Sequence, residues 1–199
     1  PILLEPSVHL PTITANRQTM TKKFDRKKFE NMILYFADKS RGDSNFGAVK
    51  LNKLMFLADF TSYGLTGEPI SGAKYIHLPQ GPGPSEMGPV RKQMENRGDL
   101  RVEKDLGFGF TRHVPIAISS VDPNVLTERD RKICDMALRD LAECTGTRAS
   151  LISHGWLGWI NTTMKEEIPY YTVFSMVPNP ITRADIEWGE ASLARLKQA

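Results

Sequence analysis

The stretch from Tyr75 to Glu86 has the sequence YIHLPQGPGPSE, and it constrains the fold more than any other part of the chain. A strand-like tetrapeptide runs directly into a block of prolines and glycines, and a helix-like segment follows at once. Proline fixes φ and lacks a backbone donor, whereas glycine permits tight turns. The block therefore predicts a rigid elbow between strand and helix. Because a phosphate-binding loop needs free backbone N–H groups, the prolines also argue against a phosphate cradle.

The composition predicts one compact domain in a chain of 199 residues that is 40% apolar. The formal charge of +3 is mildly basic and well below that of proteins that coat nucleic acid. No run approaches the ~18 apolar residues of a membrane span, and the N-terminus has no signal-peptide pattern. Cys134 and Cys144 lie in one helical pattern, roughly 15 Å apart and too far to bridge. Free thiols in a chain without a signal favour the cytoplasm, and the lack of a long apolar run predicts no membrane contact.

The first residues are predicted to form an arm. Prolines interrupt residues 1–19, no hydrophobic period is sustained there, and Met20 is a plausible start of the folded part. We therefore predict a flexible arm at residues 1–22 and one domain at residues 23–199. The sequence leaves open whether residues 1–19 are native or an extension.

Hydrophobic periodicity predicts an α+β fold that is mainly α-helical, with a small antiparallel β-sheet. The first helix is predicted at Asp25–Ser40. A second helix at Val49–Tyr63 is apolar around most of its girth, which is typical of a central buried helix. Next we predict a short strand at 70–78, a helix over Ser85–Arg97 with Ser85 as its N-cap, and a hairpin of 100–105 and 110–118 that turns at Gly107 and Gly109. The remaining elements are a helix that opens with a Thr127–Asp130 capping box, a short helix capped by Thr147, and a last helix at Thr182–Lys197.

The sequence contains no recognisable catalytic or metal-binding motif. The histidines are dispersed along the chain, at His9, His77, His113 and His154. Ser153 and His154 are adjacent, so their side chains point apart and cannot act as nucleophile and base. Asp59 lies in an apolar helix, where we expect a salt bridge or cap, with a functional acid as the alternative. We predict no catalytic residue, no cofactor and no metal; an enzyme would need His154, Asp59 and a ligand in one pocket.

A helix followed by a hairpin is also the arrangement of a winged-helix DNA-binding unit. This region carries several cations, namely Arg91, Lys92, Arg97, Arg101, Lys104 and Arg112. Acidic residues are interleaved with them, which favours an ordinary solvated surface over a phosphate-binding one. We therefore do not expect a nucleic-acid partner. A DNA-binding transcriptional autorepressor stays open as a second interpretation of this region.

Three stretches together resemble one family, the Panacea or SocA-like antitoxin domain. LNKLMFLADF (51–60) is similar to its helix signature, and GEPISGAKYIHLPQGPGPS (67–85) to its Gly/Pro hallmark. SHGWLGWINTTMKEEIPYYTVF (153–174) resembles its late Ser-His and Ile-Pro-Tyr segment. The resemblance covers about residues 25–175. Gly155–Gly158 depart from the pattern, since the family usually has acidic residues or proline between the late His and Trp.

The resemblance implies a non-enzymatic antitoxin that neutralises a cognate protein toxin by direct binding. One branch of the family delivers its toxin to a protease, so a cellular protease is a second candidate partner. The sequence identifies neither the toxin nor the mode of neutralisation, and it leaves the oligomeric state and a bacterial or phage origin open.

Two parts of the chain are candidate binding surfaces, the elbow and the late aromatic segment. Rigid shape and exposed Trp and Tyr side chains both favour binding. We expect Trp156 in particular to be exposed. The alternatives are a structural elbow, aromatic residues that cover the core, and lysines that merely face solvent. The candidate partner-binding residues are Lys50, Lys53, Tyr75, Gln80, Gly81, Pro82, Pro84, His154, Trp156, Trp159 and Tyr170.

Overall fold

The computed structural model describes residues 22–107, 110–175 and 183. Helices α1 to α6 span Arg26–Lys39, Ala48–Thr66, Met87–Arg97, Glu128–Asp140, Gly146–His154 and Leu157–Ile160, and a 3-10 helix spans Tyr170–Phe174. Strands β1 to β4 span Tyr75–Ile76, Gly83–Pro84, Leu100–Gly107 and Phe110–Ala117. They form two antiparallel sheets, β1 with β2 and β3 with β4. The predicted α+β, mainly helical fold is confirmed.

Helix α2 is the centre of the described fold. It is apolar on most sides, and Leu54, Met55 and Phe56 are completely buried. Helices α1, α4 and α5 and the 3-10 helix pack around it. It is longer than predicted, because Gly64 lies within the helix and Gly67 ends it in the left-handed conformation. None of the helices in the described ranges is both long and apolar enough to cross a membrane.

Side-chain caps fix the starts of α1 and α4. Asp25 accepts a hydrogen bond from the backbone N of Lys28 at 3.0 Å. The predicted Thr127–Asp130 capping box is confirmed, with both reciprocal hydrogen bonds present. Asp130 also accepts from Nζ of Lys28 at 2.6 Å, so the same carboxylate that caps α4 ties it to α1.

Two predicted caps are wrong. Ser85 precedes the N-cap position of α3, which Glu86 occupies without a side-chain cap. The carboxylate of Glu86 instead accepts from the backbone N of Lys74, joining the helix start to the strand. Helix α5 is capped by Thr145 rather than Thr147, through its bond from the N of Arg148 at 3.2 Å. At α5 two threonines lie two residues apart, and the sequence alone did not choose between them. At α3 the helix begins one residue later than predicted, which moves Ser85 out of the N-cap position.

The hairpin is confirmed, with Leu100 paired to Ala117 and Gly107 paired to Phe110. The predicted strand at 70–78 is reduced to Tyr75–Ile76. Predictions for residues 1–21, for Gly109 and for the last helix at Thr182–Lys197 fall outside the described residues, apart from residue 183. The domain boundaries remain a prediction.

The carboxylate of Asp59 holds the segment before β1 against α2. It is fully buried and accepts from the backbone N of Ser71 at 2.7 Å and from the hydroxyl of Tyr75 at 2.8 Å. The hydroxyl of Ser71 donates to it as well. Of the predicted salt bridge or cap, the salt bridge is wrong: among the described residues this carboxylate accepts from neutral donors, including the backbone N of Ser71. Burial raises the pKa of Asp59, and the bonds from Ser71 and Tyr75 offset part of that rise.

Replacing Asp59 with Ala should lower the free energy of unfolding by about 2–4 kcal/mol, because buried donors on Ser71 and Tyr75 lose their acceptor. The measurement is urea denaturation at neutral pH. Asp38→Ala is the matched control, because Asp38 forms only an exposed ion pair with Arg41. Its cost should be about 0–1 kcal/mol. Equal costs for the two variants would contradict a structural role for Asp59.

Candidate functional site

The predicted elbow is a buried element of the fold. Gly81 through Pro84 are buried, whereas Pro79 and Gln80 are exposed. Strand β2 pairs with β1 across the block, with Tyr75 opposite Pro84. The hydroxyl of Ser150 on α5 donates to the carbonyl of Gln80 at 2.8 Å. The elbow is therefore wedged between α2 and α5 and presents only its tip to solvent.

Gly81 is the tightest point of the elbow. Its φ is +87°, where L side chains are strained. A Cβ at this position would overlap the hydroxyl of Ser153 and lie 3.0 Å from Nζ of Lys53. Only glycine lets the elbow backbone approach both helices this closely.

Lys53 is buried against the elbow. Its side chain is 2% exposed, and Nζ donates to the carbonyl of Pro82 at 2.6 Å. No carboxylate of the described residues forms an ion pair with it. Burial lowers the pKa of Lys53 to about 7. The alternative of a solvent-facing lysine is wrong at this position.

Lys50, one turn earlier on α2, is equally buried but has an acidic partner. Its Nζ lies 2.7 Å from a carboxylate oxygen of Asp43 and donates to the carbonyl of Ala142 at 3.2 Å. It is not solvent-facing either. The two lysines therefore fasten two different segments to α2, and an acidic partner could reach neither without a rearrangement.

A stack of three rings connects β1 to helices α5 and α6. The indole of Trp159 lies between the imidazoles of His77 and His154, with ring centroids 4.2 and 4.1 Å apart. Its Nε1 donates to the carbonyl of Leu78 at 3.3 Å. Burial, followed by the nearby charges of Lys53 and His77, lowers the pKa of His154. These rings hold the late aromatic segment against the elbow.

Trp156 is half-buried, and the expectation that it is exposed is wrong. Its indole packs edge-on against Phe56 and Phe60, with ring centroids 5.2 and 6.0 Å away. Its Nε1 is buried with no hydrogen-bond partner among the described residues. Tyr170 packs nearby on Tyr63 and donates its hydroxyl to the carbonyl of Ala73 at 2.6 Å. Both residues extend the core of α2 outward.

Ser153 and the two cysteines, the nucleophile-type residues considered in the sequence, are engaged within the fold. The hydroxyl of Ser153 donates to the carbonyl of Ser150 at 2.7 Å, within its own helix. Both cysteines are free and buried, and burial raises the pKa of the Cys134 thiol. Within residues 22–107 and 110–175, no three His, Cys, Asp or Glu side chains are grouped so that they could hold a metal ion.

Large exposed apolar side chains concentrate in residues 151–174, which begin in α5, the helix that packs against the elbow. Ten large apolar side chains are exposed among the described residues, and six of them lie between residues 151 and 174. We call these six the apolar surface: Leu151, Ile152, Ile160, Met164, Tyr171 and Phe174. None of these six residues was among the binding residues predicted from the sequence. The sequence does contain one sign of this surface, the consecutive apolar pair Leu151–Ile152. The smaller residues Ala149 and Ser153 on the opposite side of α5 are the ones that face the core.

A small acidic pocket lies within the same segment. It has a volume of about 280 Å³ and lies between α6 and the 3-10 helix. Glu166, Glu167 and the exposed ring of Tyr171 line it. The backbone N and hydroxyl of Thr163 donate to Glu166 and lower the pKa of that carboxyl. The pocket thus carries negative charge beside an aromatic ring.

Residues 51–160 match the family model described as antitoxin SocA-like, Panacea domain. The match covers more than half of the 199 residues, and the chain belongs to this family of antitoxin domains. It spans α2, the elbow, α3, the hairpin, α4, α5 and α6. The predicted resemblance is confirmed. No curated protein and no solved structure gave a significant match.

Replacing Gly81 with Ala should destabilise the protein more than replacing Gly42 with Ala. Both glycines have nearly the same positive φ, +87° and +86°, but a Cβ on Gly42 would meet nothing within 4 Å. The Gly42 variant therefore measures backbone strain alone, about 1 kcal/mol. The Gly81 variant should cost at least about 1 kcal/mol more, measured by urea denaturation, because of overpacking.

Adding Ser153→Ala to the Gly81 variant should recover part of that difference, because it removes the overlapping hydroxyl. Equal costs for the two glycine variants would contradict the close packing of the elbow.

Replacing Lys53 with Met should remove a pH dependence of stability. The pKa of Lys53 is lowered to about 7, so between pH 7 and 9 the unfolded chain holds a proton at this residue that the folded chain lacks. Stability contributed by this group therefore rises with pH across that window, by up to ~1.4 kcal/mol per pH unit. In Lys53→Met the midpoint of urea denaturation should no longer rise with pH through this group. In Lys92→Met, which changes an exposed lysine of α3, the midpoint should rise with pH as in the native protein. A slope that persists in Lys53→Met would assign it to another group.

Proposed function

We propose that this protein is an antitoxin that neutralises a protein toxin by direct binding through the apolar surface. Family membership supports the antitoxin role. The concentration of six of the ten exposed large apolar side chains within residues 151–174 supports the location. Large apolar side chains that a folded protein leaves exposed together in one segment can mark an interaction site. This concentration is the single observation that carries the proposed surface.

The elbow supports this surface from behind. The Lys53–Pro82 and Ser150–Gln80 hydrogen bonds fix α5 and the elbow to α2. The ring stack around Trp159 then fixes α6 to β1. A surface held this rigidly loses little conformational entropy on binding.

The residues predicted to bind the partner divide into two groups by burial. Gln80 is exposed, and His154, Trp156, Trp159 and Tyr170 are half-buried, so their edges can take part in contact. The buried group consists of Lys50, Lys53, Tyr75, Gly81, Pro82 and Pro84. We propose that this second group positions the surface and does not touch the toxin. Direct contact with the toxin stays a prediction for the five exposed or half-buried residues.

The acidic pocket suggests the chemistry of the partner. Glu167 is already paired with Nζ of Lys74 at 3.2 Å, which leaves Glu166 beside the exposed ring of Tyr171 as the carboxylate for a partner. A carboxylate next to an aromatic ring suits an arginine or lysine side chain. The surrounding apolar residues suit a flat apolar patch around that cation. We therefore propose that the toxin presents a cationic side chain within an apolar surface.

The same proposal includes a second mode of neutralisation, in which the antitoxin delivers the bound toxin to a cellular protease. Both modes require binding, and they differ in the half-life of the toxin. Blocking leaves the toxin intact in a complex, whereas delivery shortens its half-life in cells.

The DNA-binding alternative has weaker support. Four of its six cations are paired with acidic neighbours: Arg91 with Glu95, Arg97 with Glu30 and Asp99, Arg101 with Glu103, and Arg112 with Asp105. The acidic neighbours of these four arginines reduce the positive charge that this region presents to a phosphate backbone. A DNA complex whose affinity falls steeply with salt would favour this alternative over the antitoxin.

Replacing Leu151 or Ile160 with Asp should abolish neutralisation without unfolding the protein. The neighbouring reading frame is expressed alone and with each variant, and growth is measured. Native protein should restore growth, and the two variants should bind the toxin at least about tenfold more weakly, since a charge enters an apolar contact.

Leu106→Asp is the matched control, because Leu106 is equally apolar and 81% exposed but lies on the hairpin. It should restore growth as the native protein does. If the neighbour arrests growth and Leu151→Asp and Ile160→Asp still rescue, the proposed surface is wrong. If native protein does not rescue, the antitoxin role toward that neighbour is wrong.

A further inference from the structure

A second concave site lies away from the apolar surface. It is a groove of about 430 Å³ between the C-terminal half of α1 and residues 118–123, and Arg131 of α4 closes it. None of its lining residues belongs to the elbow, the ring stack or the acidic pocket. We call it the basic groove.

The charge of the groove is predominantly positive. Lys39, Arg41 and Arg131 line it, and Asp38 is the one acidic residue among the lining residues described. Asp38 is already paired with Nε of Arg41 at 2.9 Å. A second carboxylate, Asp135, accepts from the hydroxyl of the lining Tyr35 at 2.8 Å, and Nζ of Lys39 lies 5.7 Å from the centroid of that ring. Three cations against two carboxylates still leave the groove with more positive than negative charge, which favours an anionic ligand.

The two arginines are held in place before any ligand arrives. Nη2 of Arg41 donates to the carbonyl of Ala117 at 3.1 Å. Nη1 of Arg131 donates to the carbonyl of Pro123 at 3.2 Å. Each guanidinium has five N–H donors, so these bonds fix its position and leave other donors for a carboxylate. The cost of ordering long side chains on binding is thereby reduced.

The groove also has an apolar side that a simple ion would not use. Ile118 is 55% exposed, and Val121 and Pro123 lie beside it. The backbone here is anchored, since the N–H groups of Ile118 and Ser119 both donate to the carbonyl of Asp99. A ligand that fits must offer both negative charge and an aliphatic group.

We propose that the basic groove binds an acidic peptide segment of a partner protein, with carboxylates at the arginines and Lys39 and an aliphatic side chain over Ile118. Nucleic acid fits less well, because the apolar side of the groove offers nothing to a phosphate backbone and the cations form a cluster and not a track. Of the three cations, Lys39 and Arg41 lie before the family-matched residues 51–160, and Arg131 lies within them. This site is independent of the proposed toxin contact.

The test uses the full chain and a short fluorescein-labelled peptide in which leucine is flanked by pairs of aspartates. Fluorescence polarisation should show saturable binding that weakens as salt is added. Replacing the peptide's aspartates with lysines, or its leucine with serine, should reduce binding. Persistent binding of the serine peptide, or equal binding of a single-stranded oligonucleotide of the same charge, would overturn the proposal.

Lys39→Glu should weaken the aspartate–leucine peptide about tenfold, since it reverses one of three cations at the groove. Lys27→Glu is the matched control, because it is an exposed lysine on the same helix outside the groove. It should change affinity by less than about twofold. Equal losses in the two variants, or no saturable binding to native protein, would contradict the site. Because a peptide replaces the toxin, this result is independent of the growth rescue.

Discussion

The hydrogen bond from Lys53 to the carbonyl of Pro82 is the interaction on which the candidate site depends. It places a lysine amine inside the protein at 2.6 Å from a backbone oxygen, with no carboxylate paired to it among the described residues. Burying such a group is costly, and its pKa falls to about 7 as a result. This unfavourable burial occurs where the elbow packs against α2. Gly81, adjacent in the chain, can be nothing larger because the same amine and Ser153 fill the space beside it.

Helix α2 acts as a hub because its buried polar side chains reach separate segments of the chain. Lys50 fastens the end of α4 and the turn at Asp43, Lys53 fastens the elbow, and Asp59 fastens the segment that enters β1. The apolar side chains between them stabilise the fold by burial, which does not fix how the segments are oriented. The polar contacts are directional and fix the position of each segment on α2. The result is a rigid back for α5, α6 and the 3-10 helix, where most of the exposed apolar side chains lie.

Periodicity and cap chemistry were enough to predict much of the fold. The central helix α2, the hairpin and the Thr127–Asp130 box depend on local patterns, and each was confirmed. The burial of Lys53 could not be predicted, because lysine is normally exposed and its acceptor lies on a segment far along the chain. Trp156 was misjudged for the same reason, since its partners Phe56 and Phe60 belong to α2. Local sequence does not indicate which tertiary contacts cover a side chain.

The central claim is that a rigid, elbow-supported surface binds the toxin with the segment 151–174. Hydrogen exchange of the protein, alone and in complex with the product of the neighbouring reading frame, tests it most directly. New protection is predicted in α5, α6 and the 3-10 helix, with little change at the amides of Gly81 and Gly83, which are buried and are the residues of Gly81–Pro84 that carry an N–H. Protection confined to α3 and the hairpin, or an elbow that exchanges freely without the partner, would contradict it.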